Sequence, residues 1–405
     1  MIRGWETKAL GELCEFQRGL TYSKSDEVDV SSNVVLRANN VDLTTHSLDL
    51  SELRYIADSI SIPAAKKVRK GSLLICTASG SKSHLGKIAY VDEDYGYAFG
   101  GFMGQLTPAP IVDGRYLFHV LTSPTYKAFI EALSDGVNIN NLKFDDLRNF
   151  LVPLPPRDEQ QRIVAILDET FEAIATAKAN AEKNLQNARE LFESHLQSVL
   201  TRQTKGWIET TLREVTGGVF TGPFGSLLHK SDYVEGGIPL VNPAHITNTG
   251  IEPDLSKSVS KETAQRLDNY VMREGDIVIG RRGEMGRCAV VTHAEDGWLC
   301  GTGSFFIKPS ARCEPRFLVR FLRSAETRAN LERLAGGAVM PNLSNTALAG
   351  LAIRLPPVVR QREIIDGLDA LAAETDRLTG ICEQKQATLE ALKASLLHQA
   401  FTGQL

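Results

Sequence analysis

Arg281 and Arg282 stand side by side between two β-type runs, Asp276–Ile279 and Arg287–Val291, which puts both guanidiniums on a loop tip with Arg287 close by. A guanidinium is a forked donor that matches the paired acceptors on a guanine edge, as an Asn amide matches adenine. Asn242, His245 and Lys230 add donors in the same half of the chain. In the first half the matching stretch is Thr77-Ala78-Ser79-Gly80-Ser81-Lys82-Ser83-His84. There Ser79, Ser81, Lys82 and His84 suit phosphate or base contact. Arg37, Asn39 and Asn40 form a second polar cluster after another strand. For each of these the plain alternative is a turn or hairpin side chain that meets only water.

Other chemistries lack their residues. Six cysteines (Cys14, Cys76, Cys288, Cys300, Cys313, Cys382) include no C-x-x-C pair and no partnered histidines, so a structural zinc site is not expected and reduced thiols are. Gly280-x-x-Gly283-x-x-Gly286 and Gly301-x-Gly303 follow or lie in strands without opening a helix, unlike a cofactor-phosphate loop. Asp145-Asp146 and Asp92-Glu93-Asp94 read as turn and helix-cap acids rather than a catalytic pair. No Walker A run and no Asn-Pro-Pro-aromatic motif occurs. A chain without catalytic residues and without bound metal or cofactor is expected.

The elements that carry these loops occur twice. Trp5-x4-Leu10-Gly11-Glu12-Leu13 returns as Trp207-x4-Leu212-Arg213-Glu214-Val215, and Leu154-Pro155-Pro156 as Leu355-Pro356-Pro357. Leu133-x-x-Gly136 returns as Leu334-x-x-Gly337, and Leu196–Thr201 as Leu397–Thr402. The period near two hundred residues predicts two similar domains, each followed by a long helix. Strands are expected at Val34–Arg37, Leu73–Cys76, Lys87–Val91 and Ala98–Leu106, then helical spacing at Tyr116–Leu121 and Tyr126–Leu133, interrupted by Pro124. The second copy repeats the order at Ile238–Val241, Asp276–Ile279, Arg287–Val291 and Leu299–Ile307, with one helix near Phe317–Leu334.

Each Leu-Pro-Pro opens a heptad-patterned stretch, proline being well suited to a first helical turn. The first seam holds Ile163, Leu167, Ile174, Ala177, Ala181, Ala188 and Leu191. The second holds Ile364, Leu368, Leu371, Thr375, Leu378, Cys382, Leu389, Leu392 and Leu396. Helices of roughly 65 Å with one apolar stripe must bury it against another helix. In up-and-down order the pair is antiparallel with a pseudo-two-fold axis. Glu159, Gln160, Arg162, Arg360, Gln361 and Arg362 are expected on the helices' outer faces.

The fold class expected is α+β: two similar mixed α/β domains (residues 1–152 and 204–354) separated by long antiparallel helices (153–203 and 355–405). Net charges of −2, −2, +2 and −2 for residues 1–152, 153–203, 204–354 and 355–405 leave −4 in all. Phosphate binding scales with the charges neutralised, so tight binding to a polyanion would need basic partner subunits. The N-terminus lacks the apolar core of a signal peptide and no stretch is long enough to span a membrane, so a cytoplasmic protein is expected.

At Leu154-Pro155-Pro156-Arg157-Asp158-Glu159-Gln160-Gln161-Arg162-Ile163-Val164, at its copy Leu355-Pro356-Pro357-Val358-Val359-Arg360-Gln361-Arg362-Glu363-Ile364, and at Ala400-Phe401-Thr402-Gly403-Gln404-Leu405, the chain resembles the specificity subunit of type I restriction–modification systems. Thr221-Gly222-Pro223-Phe224-Gly225-Ser226, then Lys230 and Gly237-Ile238-Pro239-Leu240-Val241, resemble the start of such a target-recognition domain. So does Gly275-Asp276-Ile277-Val278-Ile279 leading to Gly283-x-x-Gly286-Arg287. The first copy departs from the pattern with Gly19-Leu20-Thr21-Tyr22 and Lys70-Gly71-Ser72. The resemblance implies two domains reading a split double-stranded DNA target with an unread spacer. It also implies docking of two modification (methyltransferase) subunits, which would carry S-adenosylmethionine, and of restriction (translocase/nuclease) subunits. The competing reading is a coiled-coil adaptor whose two domains bind proteins.

Overall fold

The structure is a computed structural model and describes residues 5–81, 84–134, 141–201, 206–223, 227–336 and 342–405. It comprises two compact units, Met1–Glu182 with Cys382–Leu405, and Lys183–Ile381. Each unit holds one globular domain and part of both long helices, Arg157–Thr201 and Val358–Phe401.

Within each domain the described residues form three sheets. In the first, Glu6–Ala9 pairs antiparallel with Leu151–Leu154. A four-stranded antiparallel sheet runs Cys14–Arg18, Met103–Pro108, Leu73–Cys76, Ile88–Tyr90. A second four-stranded sheet runs Glu27–Val28, Arg54–Ile56, Asn33–Leu36, Ala98–Phe99, its last pair parallel. The second domain repeats all three: Ile208–Thr211 with Ala352–Leu355, then Thr216–Thr221, Ser304–Pro309, Ile277–Gly280, Cys288–Val290, and then Tyr233–Val234, Ser258–Val259, Ile238–Val241, Leu299–Cys300.

The continuous apolar runs Leu73-Leu74-Ile75-Cys76 and Ile277-Val278-Ile279 follow from this layering. Alternate side chains of a strand point to opposite faces, and here both faces are covered. Leu73 and Ile75 pack with Tyr116 and Leu117 of the helical layer, while Leu74 and Cys76 pack with Leu36 and Phe99 of the second sheet. Ile277 and Ile279 likewise join Phe317 and Leu318, and Val278 joins Val241 and Phe306.

Three expectations need correction. The run Ala98–Leu106 is two strands in different sheets, because Gly100-Gly101-Phe102 turns the chain, and Leu299–Ile307 breaks in the same way at Gly301. The stretch Phe317–Leu334 is two helices, Pro315–Arg323 and Ala325–Leu334; Ser324 ends the first and caps the second by accepting the Thr327 N–H. The break expected at Pro124 is present: one helix, Gly114–Val120, has ended, and Pro124 opens the next, Pro124–Ser134, at a position where no N–H is required.

Most consequential, Gln160 and Gln361 are not on an outer face: they are 1% and 0% exposed. Gln160 Oε1 accepts the Asp113 N–H at 2.7 Å, and its Nε2 donates to the carbonyls of Ile111 and Pro155 at 3.2 and 2.9 Å. Gln361 does the same with Glu314, Arg312 and Pro356 at 2.7, 2.9 and 2.7 Å. One amide thus ties the root of each long helix to the loop before its domain's helical layer.

In the first unit the helices run antiparallel: Arg162 donates to the Leu405 carbonyl, Lys178 pairs with Glu390, and Gln386 donates to Glu182. Ile163, Leu167, Ile174, Ala181 and Leu368 are buried, and Leu371, Leu389 and Leu396 are half-buried. Leu378 and Leu392 are exposed, and so is Leu191. The ends of the stripes bury against globular cores, Ile163 and Leu167 beside Leu397 and Ala400, and Leu196 and Leu200 beside Ile364, Ile365 and Leu368. Farther from the domains two helices cover only a narrow face of each other, which leaves Leu378 and Leu392 open.

Candidate nucleic-acid interface

The ends of four strands converge in each domain, and backbone hydrogen bonds lock them. In the first domain Gly100 N–H donates to Leu36 O at 2.8 Å, Gly19 N–H to Met103 O at 3.0 Å, and Thr77 and Ala78 N–H to Phe102 O at 2.9 and 3.2 Å. Leu142 N–H closes the cluster on Thr77 O at 2.7 Å. The second domain repeats the pattern: Gly301 to Val241 O at 2.9 Å, Gly222 to Ser304 O at 3.1 Å, Arg281 to Gly303 O at 3.0 Å and Leu343 to Arg281 O at 2.9 Å. Gly19 and Gly222 are required here, since a Cβ on either would lie 2.0 Å from the carbonyl oxygen of Gly100 or Gly301. The glycine of the two divergent elements therefore has one role in both copies.

On these matched backbones the side chains differ. Thr77 is replaced by Arg281, Ala78 by Arg282, Arg37 by Asn242, and Phe102 by Gly303. Arg281 is half-buried, its Nε donating to Asn342 Oδ1 at 3.2 Å and its guanidinium lying 5.3 Å from the Phe305 ring centre. Burial and the neighbouring charge of Arg282 hold its pKa below the usual guanidinium value. Arg282 is exposed beside it. Such a pair, one arginine oriented by packing and one free to reach, suits recognition of an acceptor-rich edge or a phosphate. Arg287 is turned back on the protein, bonded to Glu284 at 2.6 Å and reaching the Pro243 carbonyl at 3.4 Å.

Two candidates prove to be internal clamps. Asn40 is 2% exposed; its Oδ1 accepts Arg37 N–H at 2.9 Å and its Nδ2 donates to the carbonyls of Asp49 and Glu52, both at 2.8 Å. With its hydrogen-bonding capacity spent inside the fold it has little to offer a ligand. His245 stands at the corresponding turn, 7% exposed, with Nδ1 2.9 Å from the Leu240 carbonyl and 3.3 Å from Asn242 N. Asn242 itself is half-buried, its Oδ1 3.4 Å from Gly303 N. Asn39 and Lys230 are exposed.

Arg37 is half-buried beside a cavity of about 430 Å³ lined also by Ser51, Glu52, Arg54 and Tyr55, and its Nε is buried without a hydrogen-bond partner. Ser79 is half-buried and accepts Ser81 N–H at 3.2 Å, while Ser81 is exposed. His84 is half-buried, its Nδ1 3.3 Å from the Nζ of Lys87. Lys87 also donates to Val41 O at 2.8 Å, and burial pushes its ammonium pKa down. Lys82 lies outside the described residues. Of the other polar residues near the cluster, Ser344 caps a helix and Asn345 Nδ2 donates to Val219 O at 2.7 Å. Phe102, hidden inside an apolar run of the sequence, is exposed at this cluster, and the Gly-Gly before it was the available signal of a turn.

The acids read as structural behave so. Asp92 accepts the Tyr95 hydroxyl at 2.7 Å, and Asp94 the Lys70 N–H at 2.8 Å. Among the described residues no cluster of His, Cys, Asp and Glu could hold a metal ion, and no helix is long and apolar enough to cross a membrane. Five cysteines are buried and Cys382 is half-buried; burial alone pushes the Cys14 thiol up to about 12.

Known proteins share this architecture. The chain is 26% identical to the type I restriction enzyme StySPI specificity subunit of Salmonella potsdam, over 99% of this chain and 89% of that one. A solved chain from work on complex assembly and conformational transition of the type I R-M system superposes with a TM-score of 0.80 at 22% identity, covering 100% of both chains. The HsdS subunit from Thermoanaerobacter tengcongensis gives 0.65 at 21% identity, covering 100% of this chain and 98% of that one. The model of the type I restriction modification DNA specificity domain matches residues 2–186 and again 216–391, one match for each copy of the repeat. With most of its length covered by these two matches, the chain belongs to the type I restriction–modification DNA specificity family, whose members recognise DNA sequence.

Proposed function

We propose that each domain reads one half of a split, asymmetric duplex target through its loop cluster, and that the chain does so within a complex. Two modification subunits, carrying S-adenosylmethionine, and restriction subunits would dock on the helical segments. The observation that carries this reading is a common backbone bearing unlike side chains at equivalent places: Thr77 against Arg281, Ala78 against Arg282, Arg37 against Asn242. A scaffold kept while its exposed tips differ is the form expected of two readers with different texts. A net charge of −4 supports reliance on partner subunits for phosphate contact.

The test is selection from random duplex pools by the chain assembled with its modification subunits. One asymmetric bipartite sequence should be enriched. Replacing residues 204–354 with the second domain of another family member should then change one half-site and leave the other. Enrichment of no sequence would sink the recognition reading in favour of a protein-binding adaptor. Alteration of both half-sites by the exchange would sink domain-by-domain reading.

A further inference from the structure

The Phe102 ring takes no part in the hydrogen bonds that lock the first domain's loop cluster, yet its backbone is among their acceptors. Its ring is 72% exposed, the most open aromatic side chain among the described residues. Its backbone is rigidly held: the Phe102 carbonyl accepts the N–H groups of Thr77 and Ala78 and also the Thr77 hydroxyl, at 2.9, 3.2 and 3.0 Å. The adjoining turn is closed by Met103 N–H on Gly100 O at 2.8 Å. Its chain neighbours Gly100 and Gly101, and Ala78 bonded to its carbonyl, are small. An isolated surface phenylalanine is ordinary; this one is carried by a turn whose Phe102 carbonyl and Gly100 carbonyl are both held by backbone N–H groups. In the second domain the same position is Gly303, where a Cβ would lie 2.9 Å from Pro243, so that copy cannot present a side chain there.

We propose that Phe102 is a specificity-determining residue that contacts the C5-methyl group of a thymine in the half-site read by the first domain. This rests on the recognition reading above. The ring has neither donor nor acceptor, so it cannot read a polar edge. In the major groove the thymine methyl is the apolar feature that distinguishes one base pair from the others, and apolar side chains recognise it. In the second domain the strand end bonded to Gly303 carries Arg281, followed by Arg282, in place of Thr77 and Ala78, so the two clusters differ in kind as well as in residue.

The experiment uses the chain assembled with its modification subunits and the target found by selection. Each thymine of the first half-site is replaced in turn by deoxyuridine, which removes the methyl and nothing else. One position should lose about fourfold in affinity, the effect of one buried methyl. Phe102→Ala should lose a similar factor on the thymine target and become indifferent to the deoxyuridine exchange. Phe102→Leu, which keeps an apolar tip, should retain part of the discrimination. The second half-site serves as the internal control for folding and assembly and should be read unchanged. If no thymine is sensitive, or if sensitivity persists in Phe102→Ala, the proposal is wrong. Equal loss by Phe102→Ala on all sequences would also overturn it, pointing to a wedge that unstacks bases without reading them. Failure of the wild-type complex to select any target would instead defeat the underlying reading.

Discussion

The two domains are fastened to the central and C-terminal helices by the same device built from different residues. In the first, Arg115 grips Asp168 at 3.2 and 2.7 Å and His119 Nε2 meets the same carboxylate at 2.7 Å. In the second, Arg316 reaches Asp369 and Asp366, both at 3.2 Å, and Arg320 reaches Asp369 at 2.9 Å. His119 is 2% exposed, whereas the Arg320 side chain is 29% exposed and lies 5.8 Å from the Phe192 ring centre. One latch sets a buried histidine beside a guanidinium on a single carboxylate; the other uses two guanidiniums and no histidine. Beneath both sits the identical glutamine clamp. The comparison separates what the scaffold requires, the clamp, from what each copy solves in its own way, the latch and the reading loops.

The clamp predicts the largest effect. Gln160→Ala strands the Asp113 N–H and two carbonyls in a dry site, and the cost of such groups adds to on the order of 3 kcal/mol. Gln361→Ala should cost about the same, on the order of 3 kcal/mol, because its three partners are equivalent. Calorimetry of the two variants checks this. A clear loss in one with none in the other would show that the clamps are not interchangeable.

Reading should be affected next, and on one side alone. Arg281→Ala removes a guanidinium oriented by Asn342 and Phe305, so discrimination at one base of the second half-site should fall by roughly 1–3 kcal/mol. The first half-site should be untouched. Competition binding with single-base substitutions measures both. Uniform weakening across all sequences would make Arg281 a phosphate contact instead.

The latches should differ in strength. Asp168→Asn weakens charge-assisted bonds to Arg115 and to a buried histidine and should cost roughly 1–2 kcal/mol. Asp369→Asn acts on a more solvated pair and should cost under about 1 kcal/mol. Equal losses by chemical denaturation would erase the distinction drawn between them.

How far these features were legible beforehand depends on the side chain. The duplication, the long helices and the strands Leu73–Cys76 and Ile238–Val241 could be read because apolar periodicity and a repeated Leu-Pro-Pro report burial directly. The loops of the candidate interface could be placed because they follow strand ends. Which residues face outward could not. Asn40 and Arg281 both look like readers, yet one spends its amide on the Asp49 and Glu52 carbonyls and the other keeps a guanidinium at the surface. A capping amide and a reading amide are chemically the same group. Gln160 and Gln361 misled for the converse reason: a polar residue at a helix start looks solvated until the carbonyls that bury it are known.

The smallest expected effect is a difference in pH response. His119 is held below its usual value chiefly by burial, aided by the charges of Arg115 and Lys393 and opposed by its bond to Asp168. Neutral His119 therefore donates from Nε2 while its Nδ1 stays buried without a partner. A base whose pKa falls on folding is protonated more readily in the unfolded chain. The latch's full contribution is thus present above the ordinary value of 6.5 and drains away as pH falls below it, toward the depressed folded value. Burial pulls Asp168 upward, but the hydrogen bonds and charges of His119 and Arg115 outweigh it; its own contribution is lost only below the ordinary 3.8, a separate window. The second latch has arginines where the first has His119. With Trp207 and Trp298 replaced by phenylalanine, Trp5 fluorescence reports the first domain alone, and its unfolding midpoint should fall between about pH 7.5 and about pH 5.5. His119→Gln keeps a neutral donor toward Asp168 and should flatten that fall, while Arg320→His should introduce one in the second domain. An unchanged slope in His119→Gln would assign the acid sensitivity to some other group.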